Sequence, residues 1–146
     1  MKTFDFISRD EVQCACQELG IRDWTKLTDT KVNIDEAKII QDHVGSEALK
    51  IPVEWFQQGL EVELEHGLQF PDANITNNHP LVTGKIVLAH LKEMLDYYIR
   101  LKIAELEGDM FKALKKGDAE KLSRIYKELI NERAILSEWE KSERKE

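Results

Sequence analysis

The sequence predicts an all-α protein. The expected form is a helical bundle built on an antiparallel helix pair, at about 52–67 and 80–107, with short N-terminal helices and a C-terminal helical hairpin. Three observations carry this. Apolar residues recur in segment after segment at the three-and-four spacing of a buried helix face. Helix-starting and helix-ending residues bracket those segments. No stretch combines sustained period-two alternation with β-branched enrichment, so no sheet is expected.

At 146 residues the chain suits one helical domain, with 1–51 as short helices, 52–107 as the core pair and 108–146 as a helical extension. An apolar share of 42% and a charged share of 34% are those of a soluble globular protein. The net charge of -7 argues against a nucleic-acid partner, which would need clustered Lys and Arg. No apolar run approaches the roughly 20 residues of a membrane span, so no membrane partner is expected. The start, MKTFDFISRDE, lacks the pattern of a secretory signal, which places the chain in the cytoplasm.

Ser8 to Glu11 form a capping box that starts a helix, and Gly20 is placed to end it. Cys14 and Cys16, two apart, face different ways and suit neither a disulfide nor a shared metal; they read as small buried side chains. Trp24 and Leu27 pin the connector to the core. A second short helix, IDEAKIIQDHV, ends at Gly45 and carries His43 near its C-terminus, where the dipole favours a cation. Its likeness to DEVQCACQELG reads as a shared amphipathic pattern more than a duplication. Pro52 opens a third helix, with Trp55, Phe56, Leu60 and Leu64 as its core stripe and Gly67 at its end. The loop LQFPDANITNNH should be ordered by side-chain turns, with Asn78 or His79 capping the next helix.

That fourth helix is apolar on more than one side from about Leu81 to Glu107, so it needs cover on more than one side. Gly108-Asp109 and Gly117-Asp118 each pair a breaker with an N-cap and are expected to divide the rest. In the last helix Leu122, Ile125, Leu129, Leu136 and Trp139 keep a seven-residue repeat, interrupted by Glu132. The tail SERKE should fray.

Two short motifs could carry chemistry. Glu63-Leu64-Glu65-His66 is E-x-x-H, and His90-Leu91-Lys92-Glu93 is its reverse. Residues three apart share a helix face. On antiparallel helices the reversal would set His beside His and Glu beside Glu. Glu63, His66, His90 and Glu93 would then form one carboxylate–imidazole site, suited to iron, manganese or zinc. E-x-x-H spacing on bundle helices also marks di-iron and di-manganese carboxylate sites, which draw on four helices; a homodimer would supply four. Redox or oxygen-handling chemistry would follow. Glu61, Asp96 and Tyr97 are candidate outer-shell groups. Glu93 borders the apolar arc and would need a metal or a cation such as Lys85 or Arg100.

Competing readings are a structural polar network, a metal-free ligand or catalytic site, and a non-catalytic interaction module such as an adaptor or virion component. The last rests on the all-round apolar fourth helix and the heptad-like final one. No phosphate-binding glycine loop or nucleophile elbow is present. Asn74-Ile75-Thr76 matches a glycosylation acceptor but means nothing without export.

GLEVELEHG, then DANITNN, then TGKIVLAHLKEMLDYY resembles an uncharacterised family of small helical proteins of unknown function. That family's blocks run VELEHG, TN-x-TN, TGKIALAHL and DYY, and LGIRDW is similar to its LG-I-DW turn. The resemblance spans about Asp10 to Leu101. It implies no activity, but it groups Glu63, Glu65, His66, Asn74, Asn77, Lys85, His90 and Tyr97 in one motif set. The chain departs from the pattern at Leu95, where the family has Pro, and at about Thr25 to Ile51, which looks inserted.

Overall fold

The computed structural model describes residues 6–144. All its regular elements are helical, and no strand occurs among the described residues. The chain divides after Glu93 into two compact units. No described helix is long and apolar enough to cross a membrane.

The first unit holds α1 (Arg9–Leu19), α2 (Ile34–Val44), α3 (Val53–Gln69) and α4 (Pro80–Glu93), joined through short 3₁₀ turns. The Ser8 hydroxyl accepts from the Glu11 N–H, and the Glu11 carboxylate accepts from the Ser8 N–H at 2.7 Å, as the capping box requires. Gly20 ends α1 at φ 67°, a left-handed geometry that glycine adopts without steric cost. His43 caps the end of α2 by donating from Nδ1 to the Ile39 carbonyl at 2.7 Å. Phe56, Leu60 and Leu64 form the buried stripe of α3. Cys16 is buried and its sulfur accepts from the Trp24 N–H, but Cys14 is exposed, against expectation, because it lies on the outer face of α1.

Connectors are tied down by helix side chains. Val32 gives its N–H to Glu61 of α3 at 3.0 Å, and its carbonyl accepts from Gln57 at 2.6 Å. Buried Gln41 of α2 donates to the carbonyls of Ala48 and Ile51. These bonds satisfy backbone groups that no helix ladder reaches.

Gly84 is where α2 crosses α4. A Cβ there would lie 2.7 Å from Ile40 and 2.8 Å from Val44, both inside the core.

The second unit is a hairpin of α5 (Tyr97–Lys116) and α6 (Ala119–Glu143). Gly117, at φ 68°, closes α5, and the Asp118 carboxylate accepts from the Lys121 N–H to open α6. Leu106, Ile125 and Leu129 form a buried cluster in it, with Ile103 and Met110 packed against them, and Tyr98, Ile99 and Ala113 of α5 are buried too. α6 runs to Glu143; of the tail expected to fray, 145–146 lies outside the described residues.

Three boundaries differ from expectation. The helix expected over 80–107 is two, broken at Met94–Asp96. The break resolves the all-round apolar run: Val87 and Leu91 are buried on α4, while Ile103, Leu106 and Met110 of α5 pack with α6. It persists although Leu95 stands where the family pattern has Pro. Gly108 does not end a helix; the Leu106, Met110 and Ala113 stripe runs straight past it. Gly67 also lies inside a helix, and α3 continues to Gln69.

Gly84 and Gly108 give opposite expectations. Gly84→Ala forces a methyl between packed side chains and should lower stability by about 1–3 kcal/mol. Gly108→Ala meets nothing within 4 Å and should raise it by about 0.5–1 kcal/mol. Denaturant unfolding of both variants checks this; a Gly108→Ala variant less stable than the parent would contradict a continuous α5.

Candidate functional site

Two of the four expected donors meet. The His90 Nδ1 lies 3.2 Å from the Glu63 Oε1, with side chains 30% and 15% exposed, so the pair is largely shielded. His66 and Glu93 are both exposed. Among the described residues no group of three or more His, Cys, Asp or Glu could hold a metal ion. The expected four-donor cluster is therefore not assembled within the chain.

The helices explain why. Phe56 lies against Gly84, and Glu63 against His90, so contacts advance the same way along α3 and α4. This register sets Glu opposite His, where the expected one set like opposite like. Glu93 is the last residue of α4, so it does not border a buried arc and has no desolvation to offset.

Glu61 and Asp96, two of the expected outer-shell groups, are bound to other partners. Glu61 holds the Val32 connector and faces Lys31 at 3.9 Å. Asp96 is buried and pairs with Arg100 at 2.8 Å; Arg100 also pairs with Glu140 at 2.8 Å, rather than serving Glu93. Tyr97 packs edge-on against Tyr98. Glu65 and Lys85 are exposed.

Asn74 and Asn77 belong to a joint that links two of the motif blocks. The Asn74 amide donates to the Gly67 carbonyl at 3.2 Å and to the Asn78 side-chain oxygen at 2.9 Å. Its own oxygen accepts from the Thr76 hydroxyl, which accepts from the Asn78 N–H. Asn77 and Asn78 both take positive φ, 47° and 59°, which asparagine tolerates better than most residues. Asn77 donates to the Ile7 carbonyl at 3.3 Å. Gly67 is glycine for space: a Cβ would collide with Asn78 and sit 2.9 Å from the Asn74 amide nitrogen. The joint thus satisfies an orphan carbonyl at the end of α3 and starts α4.

One polar feature escaped the sequence reading. Arg22 grips buried Glu36 at 2.7 and 2.9 Å and reaches the Lys31 carbonyl. Burial alone would raise the Glu36 pKa. Hydrogen bonds from Arg22 and Asn33, with the Arg22 charge, outweigh it and hold the carboxyl below its usual range. The available signals were Arg22 inside LGIRDW and Glu36 three residues after Asn33, a capping spacing. Of the two caps expected for α4, His79 serves: its Nδ1 accepts from the Val82 N–H at 3.4 Å. Burial lowers the His79 pKa, partly opposed by the nearby Glu11 charge. His79 also lines a shallow groove of about 420 Å³ against α1.

A cap that accepts through Nδ1 requires the neutral ring. With its folded pKa depressed, His79 stabilises fully above the unfolded value of about 6.5, and the contribution is lost as pH falls through the folded pKa. His79→Ala should cost about 0.5–2 kcal/mol at neutral pH and less in acid. Unfolding curves at several pH values check this; a cost that grows toward acid would contradict it.

A family model matches residues 12–107, two thirds of the chain, and the chain belongs to that family, described as "Protein of unknown function (DUF5661)". Residues 108–146, which hold most of the hairpin, lie outside the match. No curated protein and no solved structure matches the chain.

Proposed function

We propose that this member of the DUF5661 family is a non-catalytic protein-interaction module, of the adaptor kind, whose working surface is the C-terminal hairpin. One observation carries the reading. Phe111 and Leu114 of α5 are 63% and 62% exposed, and Tyr126 and Ile130 of α6 are 50% and 49% exposed. Scattered exposed apolar residues are ordinary, but a contiguous group marks an interaction site. These four are contiguous. From the buried Leu106, Leu114 and Phe111 turn about 80° and 140° round α5. From buried Leu129, Tyr126 and Ile130 turn about 60° and 100° round α6. In an antiparallel hairpin, turns of the same sign reach the same face. The motif blocks support the reading from the other side, since Gly67, Asn74, Asn77 and Glu61 shape the fold. The cytoplasmic setting expected from the sequence suits such a module.

Glutamate at Phe111 and Tyr126 together tests this. The full chain should make a saturable protein contact that the double variant loses at unchanged helicity. A chain that makes no contact sensitive to these residues would overturn it.

A second reading keeps iron, manganese or zinc at Glu63 and His90, supported by their 3.2 Å approach. A protein metal site commonly takes three or four side chains, so a second molecule would have to supply the others. Chelator-free protein should then carry about half an ion per chain, lost in His90→Ala. Binding of none of the three metals on titration would remove this reading.

A further inference from the structure

We infer that the occupant of the hairpin face is a second copy of this chain, packed hairpin on hairpin as a four-helix bundle; this rests on the interaction-module reading. Three features of the second unit select a copy over another partner.

The first is charge. Glu107 pairs with Arg133 at 3.1 Å, and Arg100 with Glu140 at 2.8 Å. Moving seven residues forward on α5 moves seven back on α6, which fixes the antiparallel register. That register sets Leu114 level with Tyr126, and Phe111 nearly level with Ile130. On the helical wheel all four charged residues turn to the same side as the apolar group. Lys102 and Glu128, paired at 2.8 Å, turn to the opposite side. One face therefore has an apolar end near Gly117 and a charge-balanced end beyond it. A chain of net charge -7 resists self-association unless the contacting surface is itself neutral, and this one is. A strongly acidic or basic partner would find no net charge of opposite sign there. A copy related by a twofold axis brings the same alternation of Arg and Glu.

The second is area. At these exposures, and with roughly 200 Å² per large side chain, the four residues offer about 450 Å² per copy. Two copies and their charged rim reach the lower end of the roughly 1,200–2,000 Å² that stable interfaces bury. The third is the core. Buried Leu106, Ile125 and Leu129, with Ile103 and Met110 packed against them, form one layer between two helices. A second hairpin would extend that layer through Met110, Leu122 and Tyr126 into the four-helix arrangement that α-hairpins commonly reach.

Light scattering on the full chain over a concentration series tests this. The mass should rise from 17.0 kDa to about twice that. Leu114→Glu with Tyr126→Glu should weaken association at least tenfold at unchanged helicity, and Lys102→Ala, on the other face, should leave it unchanged. If the double glutamate variant does not fold, the milder Phe111→Gln should still weaken association. A mass of 17.0 kDa throughout, or a dimer indifferent to the face variants, overturns the inference. If the chain stays monomeric yet binds another protein through Phe111 and Tyr126, the copy is wrong and the module reading survives. If it does neither, both fall.

Discussion

Side chains of one short loop decide where the fourth helix begins, and the rest of the first unit follows from that. Asn74 bonds at once to the end of α3 through Gly67 and to Asn78, at the approach to α4. With that start fixed, Gly84 falls where Ile40 and Val44 come closest, so α2 and α4 can cross in contact. The same placement brings His90 to Glu63. Each step depends on a residue chosen for size or for its tolerance of an unusual backbone angle. None needs a reaction to explain it.

This changes what the family motif means. Read in sequence, VELEHG and the Asn-rich block look like parts of a site. In the folded chain they are two halves of one joint, and Glu61 holds a connector. The pairing of Glu63 with His90, from the predicted cluster, is largely shielded and offers two donors. The surface that lacks an internal explanation lies elsewhere, on residues beyond the family match. A family scaffold carrying the proposed contact surface on its C-terminal hairpin would account for both.

Much of the fold was legible. The Ser8 box, the Gly20 and Gly117 stops, the buried Trp24 and the Phe56, Leu60, Leu64 stripe all follow from local rules that act within one turn of helix. The misses share a cause. The break at Met94–Asp96 carries no proline or glycine, so only the need to bury two different stripes reveals it. Gly108 and Gly67 look like stops, but one is carried by its neighbours' packing and the other serves a loop from outside the helix. The site was half legible: spacing put Glu63 and His90 on reachable faces, but which residue of α4 meets which of α3 is set by packing that no spacing encodes.

The claim on which the account stands is that the chain meets its partner through α5 and α6 and not through the motif residues. Amide spectra of the isotope-labelled full chain, followed on dilution, address it most directly. The account predicts shifts that titrate together around Phe111, Leu114, Tyr126 and Ile130, with Glu63, His66 and His90 still. Shifts centred on Glu63 and His90, with the hairpin unmoved, would contradict it.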